Sequence, residues 1–334
     1  MDLLGRVRSM NSNGCILSSD KNILSSSLRR LEHGPIRHSY NFYWNIRHGS
    51  GTSILDKEWD NLLLLDACRY DEFRRISPFQ PSIIDKRITL GSKTPEFLQR
   101  TFRNIRLHDV VYVTANPQVL KFLAKNEEGA PIFYDTISLL DEWEAETQTI
   151  PPETVRKAAL EAAETYPDKR LLIHFLQPHA PFLGRTANAI KRRTGKTIGG
   201  LDPGRDYTEV KPRDIETASY RDMLREGVTR EEIRCAYRET LQLVINECLP
   251  LIDTLPGKTA ITSDHGELLG DPIYPFGRER WEHPSGYRTT ELCVVPWLKF
   301  GGENRKQVIS EAPKQSSPAD REKIEKRLRS LGYK

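Results

Sequence analysis

Five short apolar runs constrain this chain most. They read NLLLLDA, closing on Asp66; VVYVTAN, residues 110–116; LLIHFLQ, residues 171–177; KTAITSD, closing on Asp264; and VVPWLKF, residues 294–300. Leu, Val and Ile follow one another in them instead of alternating with polar residues. That pattern fits strands buried on both faces. Helical patterns stand between the runs. PPETVRKAALEAAETY opens on prolines and is rich in Ala. Thr229 and Glu232 have the spacing of a capping box, and Ile233, Tyr237, Leu241, Val244, Ile245 and Cys248 recur behind it at helical spacing. Alternation of this kind predicts an α/β fold, a mostly parallel central sheet sandwiched by helices.

The same runs exclude other classes. None approaches the roughly 20 apolar residues of a membrane span. The opening MDLLGRVRSMNSNGCILSS has no apolar core for a signal peptide, and no lipobox-like run precedes Cys15. The expected location is cytoplasmic, or at most peripheral to a membrane. The five cysteines form no CxxC pair, which points to reduced, buried thiols and not a zinc knuckle. A net charge of +4 over 334 residues suits an anionic substrate, and no groove-reading motif is present, so no nucleic-acid partner is expected.

Residues 1–57 read as an irregular N-terminal arm packing on the core, with Tyr40, Phe42, Tyr43 and Trp44 as its aromatic anchor. Residues 58–334 read as one catalytic domain. Within it, residues 184–218 form a basic, poorly periodic insertion. It is either solvated or a substrate-facing loop whose Lys191, Arg192, Arg193 and Lys196 attract anions. Its GKT triplet is no phosphate-binding loop, because Ile190 stands where that motif needs glycine. Ser317, Pro318 and Gly332 bracket a C-terminal helix over about 318–331.

In an open parallel sheet, functional groups collect at the carboxyl ends of strands. Three ends are chemically loaded: LLLLDACRYDEF delivers Asp66, LLIHFLQPHAPFLG delivers His174 and His179, and TAITSDHGELLGD delivers Asp264 and His265. His283 precedes the last strand. One such aspartate can simply cap a helix. Oxygen and nitrogen donors brought together from separate strands suit a divalent cation, with Asp66, Asp264 and His265 in one site and Gly266 permitting the turn between them. His174, inside an apolar run, reads equally well as a hydrogen-bonded core histidine.

These segments resemble the alkaline phosphatase/sulfatase superfamily. SDHGELLGD after an apolar strand is similar to its metal-binding segment, LLLLDACRYDEF to its first strand with a metal-binding aspartate, and HFLQPHAPFLG to its mid-chain histidine segment. The order of the motifs, down to the closing RLRSLGYK, matches over roughly residues 58–334. The resemblance implies a nucleophile that coordinates the metal at a helix start. TLGSKTPEFLQRTF offers Thr94, in a GxxT setting similar to that of the phosphoglycerol-transferase-like members, with Ser92 as its competitor. Thr94 also reads as a helix N-cap, and the two roles are compatible.

Two departures matter. The C/S-x-P-x-R motif of formylglycine sulfatases is missing, so Cys68 reads as a buried neighbour of Asp66. Ala67 stands where the family carries a second aspartate. The resemblance therefore implies a metal-dependent hydrolase or transferase of phosphate or sulfate esters that works through a covalent Thr94 intermediate. One or two divalent ions are expected, manganese or zinc ahead of calcium or magnesium, held by Asp66, Thr94, Asp264 and His265. His179 and His283 either complete a second ion site or bind the substrate and protonate its leaving group; the second is favoured because no Asp-x-x-x-His pair accompanies them. Glu267 and Arg69 read as supporting or salt-bridged groups. The expected partner is an anionic ester, with a glycan or polyol phosphate among the candidates. Two rivals stand beside this reading: a transferase decorating a glycan or polyol phosphate, and a non-catalytic polyanion-binding protein on the same fold.

Overall fold

All five apolar runs enter one sheet. The structure, a computed structural model, describes residues 34–125, 131–199, 216–274, 277–301, 304–314 and 318–330. Strands β1 (Asn61–Asp66), β3 (Leu107–Thr114), β5 (Arg170–Pro178), β8 (Thr259–Ser263) and β11 (Val294–Phe300) carry the runs, and β2 (Asp85–Ile88) and β4 (Phe133–Ser138) join them. Across the sheet the order is β2-β11-β8-β1-β5-β3-β4. From β8 to β4 the pairs are parallel, while β11 runs antiparallel to both β8 and β2. The fold is α/β with a mostly parallel sheet, as the alternation of runs and helical patterns predicts.

The lack of apolar–polar alternation in β1 has a direct cause. Every residue of β1 is buried. Leu63 and Leu65 enter one core with Ile233, Tyr237, Leu241 and Val244 of the long helix Arg230–Thr254. Leu62 and Leu64 enter the opposite core with Phe97, Leu98 and Phe102 of helix Thr94–Phe102 and Val119 of helix Pro117–Ala124. The capping box of Thr229 and Glu232 forms as its spacing predicts.

Three expectations change. Within the segment read as an irregular arm, Pro35–His48 is a helix. Of its aromatic cluster only Trp44 is buried, while Phe42 and Tyr43 are exposed. The chain divides into two units at the end of this helix, between Arg47 and His48. Residues 1–33 lie outside the described residues. The basic insertion also has regular structure: helix Arg185–Thr194 ends on Gly195 in the left-handed region, and β6 (Lys196–Ile198) pairs in parallel with β7 (Glu216–Ala218). Residues 200–215 are outside the described set. The C-terminal helix runs Pro318–Ser330, and its expected cap Ser317 and stop Gly332 are likewise outside it.

Among the described residues no helix is long and apolar enough to cross a membrane.

The long helix also reaches the chemically loaded end of the sheet. After β1 the chain turns sharply, and buried Ala67 adopts φ 61°, a left-handed conformation that is costly for a residue with a Cβ. The Tyr237 hydroxyl clamps that turn, donating to the Ala67 carbonyl at 2.8 Å and accepting from the Arg69 amide at 3.0 Å. Tyr237→Phe removes a partner from two buried backbone groups. A loss of about 1–3 kcal/mol is expected in urea unfolding. A change within about 0.5 kcal/mol, the range of ordinary surface substitutions, would show that the clamp does not matter.

Candidate active site and metal centre

β1 and β8 lie side by side in parallel, with Leu65 opposite Ser263. One residue further on, each strand ends in a carboxylate. Asp264 is fully buried. Its Oδ1 accepts the His265 amide at 2.9 Å and the Ala67 amide at 3.3 Å, while its Oδ2 has no hydrogen-bond partner. Asp66 accepts from Asn116 Nδ2 at 2.6 Å through Oδ2, which leaves Oδ1 turned toward Thr94 and His265. The His265 ring sits between the two acids. Its Nδ1 donates to the Gly266 carbonyl at 2.8 Å, so Nε2 is the nitrogen offered to the site.

Thr94 arrives from the other side. The sequence suggested it as the helix N-cap, but that position is Lys93, and Thr94 is the first helical residue. Its hydroxyl therefore does not cap the backbone and faces the acids. Gly91 permits this approach, since a Cβ there would lie 2.5 Å from the Phe97 amide nitrogen. Thr94 Oγ1 is 3.2 Å from His265 Nε2 and 3.5 Å from Asp66 Oδ1. His265 Nε2 is in turn 3.2 Å from Asp66 Oδ1 and 3.5 Å from Asp264 Oδ2. Thr94, Asp66 and Asp264 thus each bring an oxygen within 3.5 Å of His265 Nε2. Together with the orphaned, buried Asp264 Oδ2, this donor set fits a divalent ion of the zinc or manganese type.

Gly266 is required for a reason other than turn freedom. A Cβ on it would lie 1.9 Å from the Glu291 carbonyl oxygen.

The electrostatics agree with the geometry. Burial alone would lower the His265 pKa, but Asp264 and Asp66 push it up to about 9. Burial would raise that of Asp66, and the charges of His179 and His265 with the His265 hydrogen bond outweigh it and hold Asp66 well below the usual carboxylate range. Burial raises Asp264 despite the opposing charge of His265. Two adjacent buried carboxylates thus hold one positive charge between them, a proton on His265 or a metal ion.

His179 and His283 form a second cluster beside the first. The His179 amide donates to the Asp66 carbonyl at 3.1 Å, which ties this loop to the end of β1. The two rings lie 5.0 Å apart, and the His283 ring is 4.7 Å from that of His265. Glu267, read from the sequence as a supporting or salt-bridged group, joins them: its Oε2 accepts from His283 Nδ1 at 2.9 Å, and its buried Oε1 has no hydrogen-bond partner. Donor atoms of His179, Glu267 and His283 lie within 4.8 Å of one another. Burial pushes Glu267 up to about 7, against the charges of His179 and His265, and pushes His283 down to about 3, aided by the His265 charge.

His174 is a buried core histidine, as one of its two readings held. Its Nδ1 meets the Tyr112 hydroxyl at 3.0 Å, while Nε2 has no partner and lies within 4.8 Å of donor atoms of Asp66 and Asp264.

The remaining candidates separate clearly. Ser92 is removed from the site: its hydroxyl donates to Glu96 at 2.8 Å and accepts the Gly286 amide at 3.0 Å. Cys68 is buried, and burial pushes its thiol up. Arg69 is salt-bridged to Asp71 and Asp271 at 2.7 and 2.6 Å. Among the described residues of the insertion, Lys191, Arg192, Arg193 and Lys196 do not line the cleft. Lys191 donates to the Glu146 carbonyl, and Arg193 and Lys196 pair with Glu232 and Glu226. The cleft over the site, about 560 Å³, is instead lined by Lys93, Lys121 and Lys125 and by Phe122, Trp143 and Trp281.

Sequence reasoning gave Glu267 only a supporting role and missed Asn116. Asn116 reads as a helix cap before Pro117, and it is one: its Oδ1 accepts the Gln118 amide. Only the folded chain shows that its other atom holds Asp66.

No protein-family model and no curated protein matches the sequence. Among solved structures, the chain is similar to the soluble domain of lipooligosaccharide phosphoethanolamine transferase A from Neisseria meningitidis. The identity is 12% and the TM-score 0.43, covering 72% of this chain and 75% of that one. Against the integral membrane form of that protein the identity is 14% and the TM-score 0.46, covering 72% of this chain and 47% of the other. A protein in the alkaline phosphatase superfamily from Vibrio parahaemolyticus is 10% identical with a TM-score of 0.36, covering 74% of this chain and 60% of that one.

An ion held by these residues would have to displace the His265 proton. Affinity for zinc or manganese is therefore expected to rise with pH up to about 9 and then level off, with release of about one proton per ion near pH 7. Calorimetry in buffers of different ionisation enthalpy measures that proton. Uptake without proton release would contradict the assignment of His265.

Proposed function

We propose that the chain is a metal-dependent enzyme of the alkaline phosphatase/sulfatase superfamily, acting on phosphate or sulfate esters through Thr94. The observation that carries this reading is the meeting of Asp66, Thr94, Asp264 and His265 around His265 Nε2, at distances of 3.2–3.5 Å. Zinc or manganese bound by these four residues supplies a lowered pKa for the Thr94 hydroxyl and positive charge for the ester oxygens.

The residues of the chain account for the rest. Thr94 stands at the first position of its helix, where backbone amides and the helix dipole favour negative charge on its oxygen and on a bound ester. Lys93, Lys121 and Lys125 line the cleft and favour an anionic substrate. Thr94 Oγ attacks the phosphorus or sulfur, and the bond to the leaving oxygen breaks. His179 and His283, which burial holds neutral, take the proton that Thr94 Oγ loses and pass it to that oxygen. Water or an acceptor hydroxyl then attacks the phospho- or sulfo-threonine, and its proton passes by the same histidines to Thr94 Oγ, which restores Thr94. Phosphate is favoured over sulfate, because the formylglycine motif is absent and a threonine occupies the nucleophile position. Glycan and polyol phosphates suit a cleft with both lysines and aromatic rings.

Glu267 favours a second ion. A carboxylate with one orphaned oxygen beside two histidines is a metal-ligand set, which turns the balance away from a purely acid–base role for His179 and His283.

Elemental analysis followed by a panel of aryl phosphate, phosphodiester and aryl sulfate tests the whole reading. Thr94→Ala is expected to lower turnover at least about 10³-fold while metal content largely survives. Full activity in Thr94→Ala would remove the nucleophile assignment. Two ions per chain, falling to one in the His179→Ala, His283→Ala double variant, is the outcome expected for a second site. A single ion in both proteins returns His179 and His283 to substrate and proton handling.

A further inference from the structure

Helix Pro35–His48 has its exposed side inverted. In a soluble protein the outward face of a helix is polar. Here Ile36, Phe42, Tyr43 and Ile46 are 46%, 69%, 55% and 68% exposed, while Trp44 on the other side is 3% exposed. At 3.6 residues per turn, the four exposed side chains fall within an arc of about 120°, with Ser39 among them. The helix contains Arg37 and Arg47 and no acidic residue.

Charge decides what covers this face. Of the 50 Lys and Arg in the chain, seven fall in residues 1–55, against three of the 46 Asp and Glu; residues 56–334 carry 43 of each. The net charge of +4 thus resides entirely in the segment that holds the apolar face. A second copy docked there would bring two basic segments together, and the two would repel. An anionic bilayer complements both features at once, taking the aromatic and aliphatic side chains into its interface and the basic ones among its headgroups.

We propose that the exposed face of helix Pro35–His48 docks the chain on an anionic lipid surface. The site is independent of the ester chemistry. The helix is about 21 Å long, too short to cross a bilayer and long enough to lie in its interface.

The full-length protein is tested by flotation with vesicles of phosphatidylcholine alone and of phosphatidylcholine mixed with phosphatidylserine. Wild type is expected to float with the mixed vesicles only, and to be released by high salt. Phe42→Ser with Ile46→Ser is expected to weaken binding at least about tenfold, and Arg47→Gln about fivefold. The circular dichroism and unfolding midpoint of the double variant should stay at wild-type values. Should the double variant misfold, Ile36→Ser alone provides the same test. Three outcomes overturn the proposal: wild type that does not float with the mixed vesicles, equal flotation with neutral vesicles, or correctly folded face variants that float like wild type. A dimer in light scattering that the double variant converts to monomer, with no flotation, overturns it in favour of a second copy.

Discussion

Two carboxylates delivered side by side set the terms for the rest of the site. Parallel pairing of β1 with β8 brings the ends of two buried strands to neighbouring positions, and both end in aspartate. Like charges in a buried place repel, and each has lost the water that would stabilise it. Such a pair persists only with positive charge between its members. A proton on His265, whose pKa the two acids push up to about 9, answers that need, and a divalent ion held by the same residues would answer it too. The raised pKa of His265 and the metal-binding reading are therefore two consequences of one arrangement.

Much of the surrounding structure holds those acids in place. Asn116 holds one oxygen of Asp66, and the amides of Ala67 and His265 hold one oxygen of Asp264. Ser263 accepts the Cys68 amide and Tyr237 clamps the Ala67 turn. Arg87, almost fully buried, donates to the Ser263 carbonyl at 3.0 Å from below. Each aspartate is fixed through one oxygen and left with the other toward Thr94 and His265. Groups oriented this way lose little entropy when an ion or ester binds, which is the physical content of preorganisation.

The two histidine clusters differ in how they meet the cleft. His265 and His174 are sealed behind the acids. His179 and His283 line the cleft with Glu267. The outer cluster thus faces the cleft, and Lys93, Lys121 and Lys125 line the same cleft. The N-terminal helix is a separate feature, and its charge surplus contrasts with an otherwise neutral chain.

Some of this was legible in the sequence. Uninterrupted apolar runs made the sheet and its burial on both faces legible, and the acids and imidazoles at their ends put Asp66, Asp264 and His265 forward as neighbours, because strand ends are local and their chemistry is written in consecutive residues. The helix start at Thr94 was legible from Pro95. Other features were decided by tertiary structure alone. Asn116 looks like an ordinary cap until the neighbouring strand brings Asp66 to its amide. Glu267 looks like a supporting acid until a loop returns His283 to it. Ser92 stands beside Thr94 in sequence, and only the fold shows that Glu96 and Gly286 occupy its hydroxyl. The helix at 35–48 hid behind low apolar periodicity, since its apolar residues point outward. Sequence records which groups a chain carries, but which oxygen of a carboxylate is occupied and which is left for a ligand depends on partners distant along the chain, and only folding brings those together.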